Sequence, residues 1–251
     1  MGELFPSLGD PGVTLTAETQ IGTETAVIIY FWRDIVRIIS HWFKSLPVGP
    51  WKNQVPRNDP DARMGWIVIF GTFPIVILGL LLEGWIDSVF RNLYLTALML
   101  AVFAVLLGLA DRLGKRNKNL GDMTIRDGVT LGFAQSMALI PGVSRSGGTI
   151  TVGLALGYTR SAAARISFLL AIPAVMGSGL YRLFSDDGTG PQAGAMPTLV
   201  ATIAAFIVGF VVIVGFLKLV ETRSYIPFVI YRLILAAAVV FMLGQGILSP
   251  Y

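Results

Sequence analysis

The chain has 251 residues, 54% of them hydrophobic and only 14% charged, with a net charge of +4 at neutral pH; soluble domains carry about 25% charged residues. Too little polar surface remains to cover the chain in water, so a membrane protein is expected. With no cysteine and His41 as the one histidine, disulfides, thiolate nucleophiles, Cys-ligated metals and His-based metal clusters are excluded.

In chain order, the first nineteen residues read as a polar loop, without the basic flank and apolar core of a secretory signal peptide. Six apolar stretches follow, at about 20–39, 65–83, 93–110, 163–183, 197–218 and 227–248, each near the ~20 residues a helix needs to cross a bilayer. Between the third and fourth lies 128–157, interrupted by Pro141, Gly142, Gly147 and Gly148. This break predicts two half-helices in a re-entrant hairpin, whose open backbone is tolerated at membrane depth only against protein or water. The expected fold class is all-α integral membrane, a single polytopic domain over 1–251 with six transmembrane helices and one hairpin.

The basic residues gather at the ends of the apolar runs rather than in a patch with interleaved aromatics, which argues against nucleic acid as a partner. Loop 33–63 holds Arg33, Arg37, Lys44, Lys52, Arg57 and Arg63, and loop 111–126 holds Arg112, Lys115, Arg116, Lys118 and Arg126. Arg160 and Arg165, then Lys218 and Arg223, mark two further connections. All four connections fall on the cytoplasmic side if 128–157 enters and leaves from that side, as the positive-inside rule favours.

A weak internal repeat aligns "QIGTETAVIIYFWRDI" at 20–35 with "AIPAVMGSGLYRLFSD" at 171–186. Two further spans follow each copy, which gives an inverted-repeat architecture: a first repeat over 16–111 and a second over 128–248 with the hairpin 128–157. The second copy is preceded by a hairpin and the first is not, so by symmetry the chain lacks one N-terminal hairpin and reads as a truncated product or a mis-set start.

Residues 141–149, "PGVSRSGGT", place a guanidinium among hydroxyls and small residues in an apolar run. An arginine at membrane depth is costly and marks a functional site by default. Arg145 can bind a phosphate bidentately. Ser144, Ser146 and Thr149 can donate to it, Gly142 and Gly147 let backbone approach an anion, and the following helix can aim its N-terminus at the charge. The bland alternative is a packing break in which Arg145 snorkels or pairs with a carboxylate. A P-loop is excluded because no lysine lies near the turn, and the Ser-Arg pair lacks the nearby histidine of phosphatidic-acid-type lipid phosphatases.

Residues 132–173, "GFAQSMALIPGVSRSGGTITVGLALGYTRSAAARISFLLAIP", resemble the second signature region of the bacterial undecaprenyl-pyrophosphate phosphatases, also called bacitracin-resistance proteins. The layout on either side, including "TAETQIGTETAVIIYFWRDI" at 16–35, follows that family. The resemblance implies that Arg145 grips the pyrophosphate of a C55 polyprenyl carrier lipid, with Ser144, Ser146 and Thr149 as further ligands, in a fold of six spanning helices and two inverted re-entrant hairpins. It implies hydrolysis to the monophosphate and inorganic phosphate in the bacterial cell membrane, for cell-wall synthesis and bacitracin resistance. A divalent cation, magnesium or calcium, is the implied cofactor. The family's first signature, with its proposed nucleophilic serine, its histidine and its metal-binding glutamates, is absent from this chain, so the implied metal ligands are not in it. Two alternatives stay open: a polyprenyl-phosphate carrier, and an inactive truncated relative. A homodimer is also left open.

Among other residues, Gln135 can orient a phosphate or water, or equally make a polar interhelical contact. Glu24, inside the first span, can pair with Arg145 or ligate a metal, although proximity to the interface is the favoured account. His41, beside Trp42 and Phe43, reads as an interfacial loop residue rather than a catalytic base. Trp32, Trp51, Trp66 and Trp85 fit an aromatic belt, and Pro74 and Pro173 are expected to kink their helices.

Overall fold

The computed structural model describes residues 12–51, 54–89, 92–185 and 195–249. It contains eight α-helices among these residues: α1 (Gly12–Ser45), α2 (Pro60–Val89), α3 (Leu93–Leu113), α4 (Ile125–Ser136), α5 (Arg145–Ala155), α6 (Arg160–Ser185), α7 (Ala195–Thr222) and α8 (Ile226–Gly244). Five are long and apolar enough to cross a membrane: Pro60–Leu82, Leu93–Leu113, Arg160–Gly179, Met196–Thr222 and Ile226–Gly244. The protein is thus an all-α, multi-pass membrane protein. The sixth expected span, 20–39, lies within α1, which at 34 residues is long enough but carries Glu24, Arg33, Asp34 and Arg37, too many charges to qualify on composition.

Two expectations at the ends of α1 are corrected. The helix begins at Gly12, so 12–19 is helical rather than loop, and it continues to Ser45, which places His41 inside it. Apolar content stops at about residue 39, but backbone hydrogen bonding continues for as long as neighbouring helices support it, and α1 packs most extensively along α7. Residues 1–11 and the Trp85 side chain lie outside the described residues.

The hairpin is built from α4 and α5, of 12 and 11 residues. Each rises only about 16–18 Å, roughly half of a ~30 Å hydrocarbon core. Both outer ends are tied to one place. The Tyr158 hydroxyl, just past α5, donates to Asp127 Oδ2 in the first turn of α4 at 2.8 Å. Lys118 exchanges backbone hydrogen bonds with Gly157 (3.0 Å) and Thr159 (2.9 Å). The segment therefore enters and leaves at the same end as the basic loop 111–126. Its break lies at 140–144, between a short 3-10 turn at Met137–Leu139 and α5.

Close helix approach holds the hairpin in the bundle. A Cβ on Gly132 of α4 would collide with the Gly71 carbonyl oxygen of α2, and one on Gly128 would lie 2.6 Å from Ile67 Cγ2. With no hydrophobic drive between helices in lipid, such small-residue contact supplies the packing energy. α6 sits at the centre: its span is 44% buried, whereas that of α7 is 6% buried and faces outward.

Capping fixes where α4 starts. Thr124 accepts from the Asp127 backbone N–H (3.1 Å), while Asp127 Oδ2 accepts from Thr124 N (3.2 Å) and Thr124 Oγ1 (2.6 Å), a reciprocal capping box. Burial opposes the Asp127 charge, yet hydrogen bonds from Thr124 and Tyr158 and the Lys118 charge hold its carboxyl below the usual value. A lowered native pKa contributes stability that is present above the ordinary carboxylate range and is lost as pH falls through the lowered value. Asp127→Asn is therefore expected to lower thermal stability at pH 7, by about 1 kcal/mol for a weakened cap. The deficit should shrink in acid melts; a deficit independent of pH would refute the assignment.

Candidate active site

The tip of the hairpin faces a cavity of about 280 Å³ between α1, α5 and α6. Ser144, Arg145 and Ser146 form one wall, Gln20, Thr23, Glu24 and Val27 of α1 a second, and Ser167, Phe168, Ile172 and Val175 of α6 a third. Arg145 opens α5, so its side chain leaves the helix where unpaired N–H groups and the positive end of the dipole also point. About 16 Å of helical rise separates it from the basic end of α5. Ser144 is the N-cap: its Oγ accepts from Gly147 N at 3.2 Å and lies 3.2 Å from Ser146 Oγ. Two hydroxyls, one guanidinium and a helix N-terminus thus converge on one space.

Glu24 faces this space from α1, and the Glu24 and Arg145 charges attract each other across it. The Glu24 carboxylate lies close to Gly179, where an added Cβ would stand 3.8 Å from Oε2. The account of Glu24 as a mere interface residue is thus replaced by one in which it belongs to the cavity.

The family described as "Bacitracin resistance protein BacA" matches residues 2–238. The chain belongs to this family.

Relatives are similar over almost its whole length. It is 55% identical over 252 residues to the undecaprenyl-diphosphatase of Micrococcus luteus, covering 99% of this chain and 89% of that protein. It is 56% identical over 253 residues to the undecaprenyl-diphosphatase of Pseudarthrobacter chlorophenolicus, with the same coverage. It is 55% identical over 249 residues to "Undecaprenyl-diphosphatase 2" of Agrobacterium fabrum, covering 99% of this chain and 87% of that protein.

Within this bacitracin-resistance framework, the remaining expected site residues stand behind the cavity wall. Thr149 is fully buried and its hydroxyl donates to the Arg145 carbonyl oxygen one turn back. Gln135 is fully buried as well, with Nε2 donating to Leu170 O at 3.5 Å and Oε1 unpartnered among the described residues. Gly142 and Gly147 serve close approach of protein to protein. Gly142 has φ +88° and would carry its Cβ into the Thr96 carbonyl oxygen of α3, and a Cβ on Gly147 would lie 2.7 Å from Arg232 Nη1.

Arg232 is a buried charge beside the hairpin break that motif reading missed. It lies in the apolar run of α8, is 8% exposed, and donates from Nη2 to the Gly142 carbonyl at 2.8 Å. Its Nε has no hydrogen-bond partner among the described residues. The available signal was a single charge inside a span, the same signal that singled out Arg145.

Two places can be tested for a cation. His41 Nδ1 and carboxylate oxygens of Asp59 and Asp61 lie within 4.8 Å of one another, a group that can hold a metal by spacing. Those atoms already have partners. Asp59 Oδ1 accepts from Asp61 N, Ala62 N (both 3.0 Å) and His41 Nδ1 (2.9 Å), and Arg37 Nε pairs with Asp61 Oδ2 at 3.0 Å. Seventeen residues of α1, about 25 Å, separate His41 from Glu24, so this group cannot serve a phosphate held by Arg145. The cavity itself offers the carboxylate of Glu24. That fits a magnesium-type ion, which is bound through one or two carboxylates while substrate phosphates and water complete its shell.

Proposed function

We propose that this chain is an integral-membrane hydrolase of the bacterial cell membrane that acts on undecaprenyl pyrophosphate. Water is consumed, the phosphoanhydride bond breaks, and undecaprenyl phosphate and inorganic phosphate leave, which returns the carrier lipid to peptidoglycan synthesis and underlies resistance to bacitracin. The observation that carries the reading is the placement of Arg145 on the first turn of a half-helix, beside Ser144 and Ser146 and opposite Glu24.

In this reading Arg145 binds the oxygens of the pyrophosphate in a fork and stays with them as negative charge develops in the transition state. Ser144 and Ser146 donate hydroxyl protons to the same oxygens, and the α5 N-terminus adds its dipole at no reorganisation cost. Glu24 would hold the divalent cation, which when bound neutralises phosphoryl charge as a Lewis acid. The apolar side chains of Val27, Ile172, Val175 and the half-exposed Met176 line the way out for the first prenyl units. The two-repeat organisation, 16–111 and 128–248, belongs to the same proposal: α1 and α6, which carry the aligned segments, supply facing walls.

Purified protein in detergent is expected to release inorganic phosphate from undecaprenyl pyrophosphate, dependent on a divalent cation. Glu24→Gln removes the charge but keeps the shape. It is expected to lower turnover at least about tenfold, with the loss partly recovered at higher cation concentration. Movement of polyprenyl phosphate across vesicle membranes without phosphate release would overturn the hydrolase in favour of a carrier.

A further inference from the structure

A second pocket, of about 540 Å³, opens at the basic end of the bundle between the end of α3 and the starts of α6 and α8. Its chemistry divides sharply. Arg112, Arg116 and Arg160 line it against one carboxylate, Asp111, and that carboxylate is already engaged. Asp111 is 3% exposed, takes a fork from Arg160 through Nε (2.5 Å) and Nη2 (3.1 Å), and accepts from the Tyr225 backbone N–H at 3.0 Å. The fork leaves the Nη1 edge of the Arg160 guanidinium for another acceptor. Arg112 and Arg116 are exposed, and neither has a carboxylate within ion-pair distance among the described residues. Arg116 is also the one non-glycine residue with positive φ among them, at 51°, and its Nε folds back to Gly114 O at 3.3 Å. That left-handed turn carries its side chain over the end of α3.

The other wall is apolar and open. Val105, Leu109 and Ile226 line the same pocket and are each about half exposed on spans that lie in lipid. Cations directly above a hydrocarbon-facing wall match a molecule with a phosphate head and acyl chains. A free phosphate has the same head chemistry but gains nothing from Val105 or Leu109. We infer that this pocket binds the headgroup of an anionic phospholipid, its phosphate on Arg112, Arg116 and Arg160 and its acyl chains along α3 and α8. Basic pockets between membrane helices select anionic lipids in this way. The site is separate from the cavity at Arg145, which lies at the far end of α5.

The test is native mass spectrometry of the purified protein in a neutral detergent, titrated with phosphatidylglycerol or phosphatidylcholine. Phosphatidylglycerol adducts are expected to be retained over phosphatidylcholine and to weaken roughly tenfold or more in Arg112→Ala/Arg116→Ala. They are expected to persist in Arg145→Ala, and in Arg33→Ala/Arg126→Ala, which removes the same charge elsewhere on the basic end. Arg112→Gln/Arg116→Gln gives the same readout should the alanine pair elute aggregated. Equal retention of the two lipids, unchanged adducts in both Arg112/Arg116 pairs, or an equal loss in the Arg33/Arg126 pair overturns the site. Displacement by millimolar inorganic phosphate overturns the lipid and leaves a phosphate site.

Discussion

Replacing Arg145 by alanine is expected to reduce kcat/KM for undecaprenyl pyrophosphate by about 10³-fold or more, the scale seen when an arginine that stabilises phosphoryl transfer is removed. The guanidinium is the cation of the cavity at the hairpin tip, and Glu24 already contributes a negative charge to the same space. Without Arg145 the phosphates would meet a carboxylate with no protein cation beside it. Arg145→Lys is the sharper variant. It restores a positive charge but not the planar fork, and it must reach the phosphate from the first turn of α5 with three donors around one nitrogen. Most of the loss should therefore remain, chiefly in kcat, while substrate binding recovers more. Full activity in Arg145→Lys would mean that charge alone suffices and that bidentate geometry has no role. Full activity in Arg145→Ala would remove the site.

Five of the six expected spans and the hairpin were legible because the bilayer is a severe solvent. Runs of about twenty apolar residues, and a Gly/Pro break in the middle of one, leave few alternatives. The polar ends of α1 were not legible, since whether 12–19 and 40–45 continue a helix depends on neighbours that composition does not reveal. The wall Ser144–Ser146 was legible as a motif, but the inward turn of Thr149 was not. A threonine hydroxyl one turn after a carbonyl can satisfy itself locally, and only the packing of α5 decides between that and a ligand. Gln135 poses the same ambiguity: its Nε2 donates to Leu170 O, while its Oε1 has no partner among the described residues. Arg232 is the instructive omission. It stands ninety residues from Gly142 in sequence, so no local pattern announces it, yet a charge in the run "IPFVIYRLILAAAVV" is as anomalous as Arg145 in its own.

That long-range contact gives Gly142→Ala a large effect for a single methyl group. At φ +88° an L residue costs about 1–2 kcal/mol relative to glycine. The added Cβ would also enter the Thr96 carbonyl oxygen of α3, a backbone atom that cannot rotate away. The break at 140–144 must then lift from α3, and the Gly142 carbonyl moves off Arg232 Nη2. Separation takes the hydrogen bond from a half-buried acceptor and strands a buried cation, a penalty of about 1–3 kcal/mol. Because the break ends in Ser144 and runs directly into Arg145, the displacement passes to the phosphate wall, and a shift of about 1 Å in a positioning element can cost about 100-fold in rate. Gly142→Ala is therefore expected to unfold several degrees lower and to lose about 100-fold in kcat. Arg232→Ala, which removes the same contact from the other side without straining the loop, should lose activity with a smaller drop in melting temperature. If Gly142→Ala melts lower but turns over normally, the break is a structural joint only, and Arg232 holds the bundle together without positioning Arg145.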